Sequence, residues 1–413
     1  MNTLTRLVLG TLLTSAVILL QCCTSGDAGK DDAEKGAEEQ AATTPLEPAT
    51  WRTFHGDTSL TGTSNAVLPD TLEMAWRSRA DEKIYNPPVS DGKCWYVATF
   101  HGRVFALDFE GKEMWNTQLW AGEGPDGQPQ KATVDAPPAC FGNALYIATA
   151  RGVLHALDTS NGAERWKLET DGTYLGTMTY GTLPGPPEKE VVFALSQDDG
   201  TVYCVDPETG TLLWEAVGPE RCDGSPSFYG GNIVFGSCAA ALHIVSAADG
   251  AHVRDIPIDE DSQIAAGVAI DDGAIFAGCR SGKFLNADLA TGVIKWVNQD
   301  SQDEIFTTPA VNDALVVFSS RDGAVYCLDR ATGTQKWKFP TEGEPQSPVI
   351  VGDKVAVSAD GTLYLLRLET GASVWSRKVS DEISSPAVLN NQIVVAGEDG
   401  AVTAFGPPQP LEE

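Results

Sequence analysis

The phrase GTVYCVDPETGTLLW, Gly200 to Trp214, returns along the chain as GVLHALDTSNGAERW from Gly152, GKFLNADLATGVIKW from Gly282, GAVYCLDRATGTQKW from Gly323 and GTLYLLRLETGASVW from Gly361. A spacing of about 40 residues between copies marks a repeat array, in which each unit buries its apolar face only against its neighbours. Within the phrase, Val202 to Val205 alternate with a period of two and favour a strand. Asp206, Thr209 and Gly210 then form a turn: the carboxylate accepts backbone N–H groups and the glycine supplies a positive φ. The chain reverses into a strand ending at Trp214. Burying most of a Trp, on the order of 200 Å², is worth about 5 kcal/mol before entropy is charged, enough to organise the junction between two units.

A second recurring hairpin precedes each phrase: SPSFYGGNIVFGS from Ser225, TPAVNDALVVFSS from Thr308, SPVIVGDKVAVSA from Ser347 and SPAVLNNQIVVAG from Ser385. Two hairpins make a four-stranded antiparallel unit, the size of a propeller blade. Phrase ends fall at Trp115, Trp166, Trp214, Arg254, Trp296, Trp337 and Trp375; in the fourth unit Ser246 replaces the Asp and Arg254 the Trp. An eighth unit begins at Ser385 and stops at Gly406 without a fourth strand, while LEMAWRSRA, Leu72 to Ala80, is a Trp-bearing strand with no hairpin before it. The expectation is an all-β, eight-bladed β-propeller in which the strand around Trp76 completes the last blade, because such closure removes exposed sheet edges. The docking residues are then Trp76, Trp115, Trp166, Trp214, Trp296, Trp337 and Trp375.

The N-terminus is different in kind. MNTLTR carries Arg6, an apolar run LVLGTLLTSAVILL follows, and QCC comes next. Residues 1–23 therefore read as an export signal, and an apolar stretch ending at Cys resembles the bacterial lipoprotein signal, with Cys22 and Cys23 as candidates for lipidation. Residues 24–50 hold seven acids, two lysines and few large apolar groups, the composition of a disordered acidic spacer. The propeller is expected over 51–408, with 409–413 as a tail. A formal charge of −29, from 28 basic and 57 acidic residues, excludes a nucleic-acid binder.

The pattern D-x-x-T-G-x-x-x-W, with G-x-V/L-x-x-L before it, resembles the pyrroloquinoline quinone repeat, also called the tryptophan-docking motif, over nearly all of residues 70–406. That resemblance implies the propeller fold and two kinds of role: calcium- and quinone-dependent dehydrogenases of the periplasm, and BamB-like lipoproteins that assist outer-membrane protein assembly without a cofactor. The dehydrogenases resemble one another in a disulfide between neighbouring cysteines beside the quinone, an Asp base, and Glu and Asn ligands to calcium. Here the only adjacent cysteines, Cys22 and Cys23, lie in the export signal, and no catalytic residue carries over. The expected function is a non-enzymatic envelope scaffold that binds envelope proteins and is tethered by lipid; a quinone–calcium oxidoreductase or a glycan-sensing propeller are the alternatives.

Turns between second and third strands share one face of the ring, and supply His101, Arg151, Asp198, Asp199, Arg280, Arg321, Asp360, Glu398 and Asp399. Loops leading into the first strands add Asp81-Glu82, Asp259-Glu260-Asp261, Asp303-Glu304 and Asp381-Glu382 to the same face. The expectation is an acidic mouth, either ordinary solvated turns or a binding face for a basic partner or for calcium. Cys222, Cys238 and Cys279 fall at neighbouring positions of that face, where the alternatives are a Cys222–Cys238 or Cys238–Cys279 disulfide in an oxidising compartment, a thiolate metal site, and free buried thiols. His155 and His243 share one strand-three position and should be packed. The segment from Trp115 to Pro137 is the largest insertion between units and reads as a lid, a partner contact or a mobile decoration.

Overall fold

A computed structural model describes residues 49–124 and 127–408. The chain divides into Met1–Glu47 and Pro48–Glu413, and the second unit carries the fold. Cys22, Cys23, most of the acidic spacer and the C-terminal tail lie outside the described residues.

Eight antiparallel four-stranded sheets form the ring. Blades 1 to 7 span residues 89–118, 139–169, 179–216, 227–257, 269–298, 310–340 and 349–378, each with its strands paired in sequence order. Blade 8 is composite: strands Ala387–Leu389, Gln392–Ala396 and Ala401–Gly406 are completed by Glu73–Arg79, which pairs antiparallel with Ala401–Gly406. The strand around Trp76 thus closes the ring as expected.

The repeated phrase builds the junctions between blades. Asp206 Oδ1 accepts the N–H groups of Glu208 and Thr209 at 3.1 and 3.0 Å, which tightens the turn and brings Gly210 to φ +70°. Trp166 of the preceding blade lies on that glycine, where a Cβ would sit 2.7 Å from the indole. Its Nε1–H donates to the Pro207 carbonyl at 2.8 Å. The same donation runs from Trp115 to Thr159, Trp296 to Arg330 and Trp337 to Leu368. Trp76 lies on Gly111 of blade 1, so the last junction is made by the same device. Trp214 lies on Gly250 of the degenerate blade, but its buried Nε1–H finds no partner among the described residues, and Trp375 meets Phe405 edge-on.

One element has no precursor in the sequence reading. Residues Trp51–Ser64 wind around the inside of the ring as a plug. Trp51 exchanges both backbone bonds with Ser90 of blade 1, and Arg52 accepts from Cys140 of blade 2. The carbonyls of Thr58, Ser59, Thr61 and Gly62 then accept the N–H groups of Phe228, Ile270, Val311 and Ile350 in blades 4 to 7. Thr63–Ser64 adds a fifth, parallel strand to blade 7. Innermost strands of a propeller carry unpaired backbone groups on their channel side, and this segment satisfies them. Within the plug, Asp57 Oδ1 accepts from Ser59 and Thr61 N–H at 2.9 and 3.2 Å and holds the turn.

The axial mouth and other candidate sites

An axial funnel of about 220 Å³ opens at the mouth face. Tyr85, Leu175, Asp223, Phe306 and Gln346 stand around it, on loops leading into five different blades, and Phe54 of the plug also lines it. Tyr85 and Leu175 are the large apolar groups left exposed among these. Arg280 and Arg321 both lie over the Phe306 ring, with guanidinium carbons 4.8 and 4.9 Å from its centroid.

The mouth residues expected from sequence are on one face, but their charges are mostly spent on neighbours. Arg280 donates to Asp223 Oδ2 at 3.2 Å, tying blade 5 to blade 4, while Asp223 Oδ1 accepts from Gln197 and Arg221. Arg321 bridges Glu304 and Glu344, each at 3.1 Å. Asp399 accepts from Arg77 and Arg79, and Glu398 pairs with Lys83. Arg151 donates to Gln130, Asp198 accepts the Thr173 hydroxyl, Asp199 caps Thr201 N–H, and Lys378 approaches Asp360 at 3.8 Å. His101 meets Phe100 edge-on. The acidic surplus comes instead from the lead-in loops, where Asp81, Glu260, Asp261 and Asp381 have no ion-pair partner among the described residues. The insertion after blade 1 is a small hairpin, Trp120–Glu123 with Pro129–Lys131, anchored by an ion pair from Lys131 to Glu82.

Among the described residues no three His, Cys, Asp or Glu side chains are placed together to hold a metal ion, and no two cysteines are adjacent.

Of the alternatives for these thiols, the structure forms neither the Cys222–Cys238 nor the Cys238–Cys279 disulfide: all seven described cysteines are free. Cys222 turns inward against Phe235 in the core between blades 3 and 4, and Cys279 packs with Ile264 in the next core. Cys238 remains at the partly exposed turn, where its N–H donates to the Arg221 carbonyl. The three positions adjoin, with Cys222 and Cys279 buried and Cys238 partly exposed.

Blade 4 contains a relay that no motif announces. Ser237 Oγ meets His243 Nε2 at 2.7 Å, and His243 Nδ1 meets Asp255 Oδ1 at 2.8 Å. The order matches a nucleophilic triad. The hydroxyl is fully buried, also accepts the Ala239 N–H, and does not line the cavity that His243, His252 and Asp255 border. A substrate cannot reach it, so the relay is a clasp across the strands in which His243 and Asp255 lie opposite. Blade 2 repeats half of it with His155 and Glu164 at 2.9 Å, and both histidines are buried as expected.

A family model described as outer membrane protein assembly factor BamB matches residues 124–339 and 340–407. The chain belongs to this family. The BamB of Nitrosomonas eutropha is 30% identical over 170 residues, which are 40% of this chain and 39% of that protein. Matches to other BamB proteins likewise span under half of their length. The crystal structure of BamB from Moraxella catarrhalis superposes with a TM-score of 0.67 at 21% identity, covering 83% of this chain and all of the other. The quinohemoprotein alcohol dehydrogenase from Comamonas testosteroni gives 0.69 at 14% identity, covering 88% and 82%. At such identities the structural likenesses establish the propeller, which BamB proteins and quinoproteins share.

Proposed function

We propose that this BamB-family propeller is a non-catalytic scaffold of the cell envelope, where it is tethered by a lipid on Cys22 or Cys23 and binds envelope proteins through its mouth face. The observation that carries the reading is the axial funnel, whose wall presents the rings of Phe54 and Phe306 and a set of charges already paired between blades. Fixed side chains on rigid turns suit recognition of a protein surface, since little entropy is lost on docking. Tyr85 and Leu175 supply exposed apolar anchors, and the unpaired acids of the lead-in loops favour a basic rim on the partner. BamB relatives are named as outer membrane assembly factors, which supports the envelope address.

Calorimetric titration of the full chain with pyrroloquinoline quinone and calcium, followed by dye reduction with simple alcohols, tests the absence of catalysis. The scaffold reading predicts no saturable heat and no turnover. Tight one-to-one binding would contradict it and restore the oxidoreductase alternative.

A further inference from the structure

On the face opposite the mouth, between blades 1 and 2, lies a cavity of about 430 Å³. Its polar groups come from three turns: Asp91, Lys93 and Cys94 from the first hairpin of blade 1, Asn143 from that of blade 2, and Asp158 to Ser160 from the Trp-docking turn of blade 2. Tyr96 and Met114 supply the apolar part of the wall.

Asp91 is the anomaly. Its side chain is only 8% exposed. Oδ1 is used by the turn, accepting the N–H groups of Lys93 and Cys94 at 2.9 and 3.4 Å. Oδ2 is buried and has no hydrogen-bond partner among the described residues. The nearest cation, Lys93 Nζ, stands 4.0 Å away on a side chain that is 75% exposed, beyond hydrogen-bonding distance. A buried polar oxygen without a hydrogen bond ordinarily marks a missing partner. Asp158 borders the same cavity and spends only Oδ1 locally, on the N–H and hydroxyl of Ser160. The lining therefore holds two carboxylates against one loosely placed ammonium.

We propose that this cavity is a binding site for a primary ammonium group on a short aliphatic stem, with Asp91 Oδ2 as its principal acceptor and Asp158 as a second. The ammonium offers three donors where the lining offers acceptors, and the stem packs on Met114 and Tyr96. Lys93 is a tethered competitor, since its ammonium stands 4.0 Å from the same Asp91 Oδ2. A free alkylamine and the lysine side chain of a polypeptide share this chemistry. The site is on the other face from the mouth and does not depend on the scaffold reading.

The test is calorimetry or NMR titration of the full-length protein with n-butylammonium chloride, with sodium butyrate as control and acetyl-Gly-Lys-Gly-amide as a second arm. Asp91→Asn keeps the Oδ1 acceptor that holds the turn and removes the charge, so binding should weaken by about tenfold or more, the worth of a hydrogen bond to a charged group. Lys93→Ala, at an exposed position, should tighten it by about two- to fivefold, the size of a surface ion-pair effect. Peptide binding at least as tight as that of butylammonium assigns the site to a lysine side chain; binding of butylammonium alone assigns it to a free amine. No saturable binding of either probe, butyrate binding equally well, or full affinity retained in Asp91→Asn would overturn the proposal.

Discussion

Arg254 lies on Gly292 of the next blade, where a Cβ would sit 2.8 Å from its Cδ, and its Nη1 donates to the Ala290 carbonyl at 2.8 Å. The arginine thus occupies the place a tryptophan holds at the other junctions: a flat group covers the turn glycine and a donor reaches the turn carbonyl. What the sequence presents as decay of the fourth repeat is a substitution that keeps the contact.

The docking contacts should differ in worth. Trp337→Ala removes a mostly buried indole and its bond to Leu368, and should cost about 3–5 kcal/mol. Arg254→Ala loses one charge-assisted bond and the aliphatic stem, for about 1–2 kcal/mol. Gly371→Ala combines a φ of +70° with a Cβ 2.7 Å from the Trp337 ring, and should cost about 2 kcal/mol or more. Urea melts of the three variants check the ranking; an Arg254→Ala loss equal to that of Trp337→Ala would contradict it.

Removal of the plug should loosen the whole ring. A chain beginning after Ser64 leaves the N–H groups of Cys140, Phe228, Ile270, Val311 and Ile350 without their acceptors on the inner strands. Each orphaned group costs about 1–3 kcal/mol where water cannot replace the bond. The expected outcome is a large drop in melting temperature with loss of cooperativity, read by calorimetry. An unchanged melting curve would mean the plug is an accessory.

Stability should fall on mild acidification. Burial holds His55 at about 4, against an ordinary value of 6.5, with the Leu60 carbonyl acting weakly the other way. Between these values the unfolded chain binds a proton that the native state refuses, so stability declines as pH drops through that window, by about 3 kcal/mol in all. Burial also lowers His155, with the same sign, the hydrogen bond it donates to Glu164 opposing it. Asp57 has the opposite sign: burial raises its carboxyl, so the native state takes up its proton before the unfolded chain does and recovers some stability at the acid end. Urea melts at pH 7 and pH 4.5 should show the loss in the native sequence and a smaller one in His55→Gln; identical losses would remove His55 from the account.

Thiol chemistry should follow exposure. Cys238 is the one partly exposed thiol among the described residues, and it should alkylate first under native conditions. Burial pushes Cys204, Cys279 and Cys327 up to about 12, and these should react only after unfolding. Peptide mass spectrometry without reduction reads the result, and a bridged Cys222–Cys238 peptide would contradict the free thiols.

The blades were legible because their signals are local. A turn Asp, a turn Gly and a Trp at fixed spacing state a hairpin and its contact in one phrase, and an unpaired Trp-bearing strand at Trp76 matched a last blade without its own. The plug was not legible, because Trp51–Ser64 bonds through its backbone to strands dispersed among the blades and repeats nothing. The Ser237–His243–Asp255 clasp depends on strand register across blade 4, which alternation alone does not give. The mouth was legible as a set of positions but not as a charge: whether Arg321 meets Glu304 or solvent is decided by two different loops meeting in space.

The central claim is that the mouth face docks another envelope protein, and photo-crosslinking in the producing cells tests it most directly. A photoreactive phenylalanine analogue placed at Tyr85 in the full chain, with Val253 on the outer rim as control, should give a discrete crosslinked envelope protein from the mouth position and none from the rim. Crosslinks from Val253 alone, or none from Tyr85 with the protein correctly folded and exported, would contradict the account.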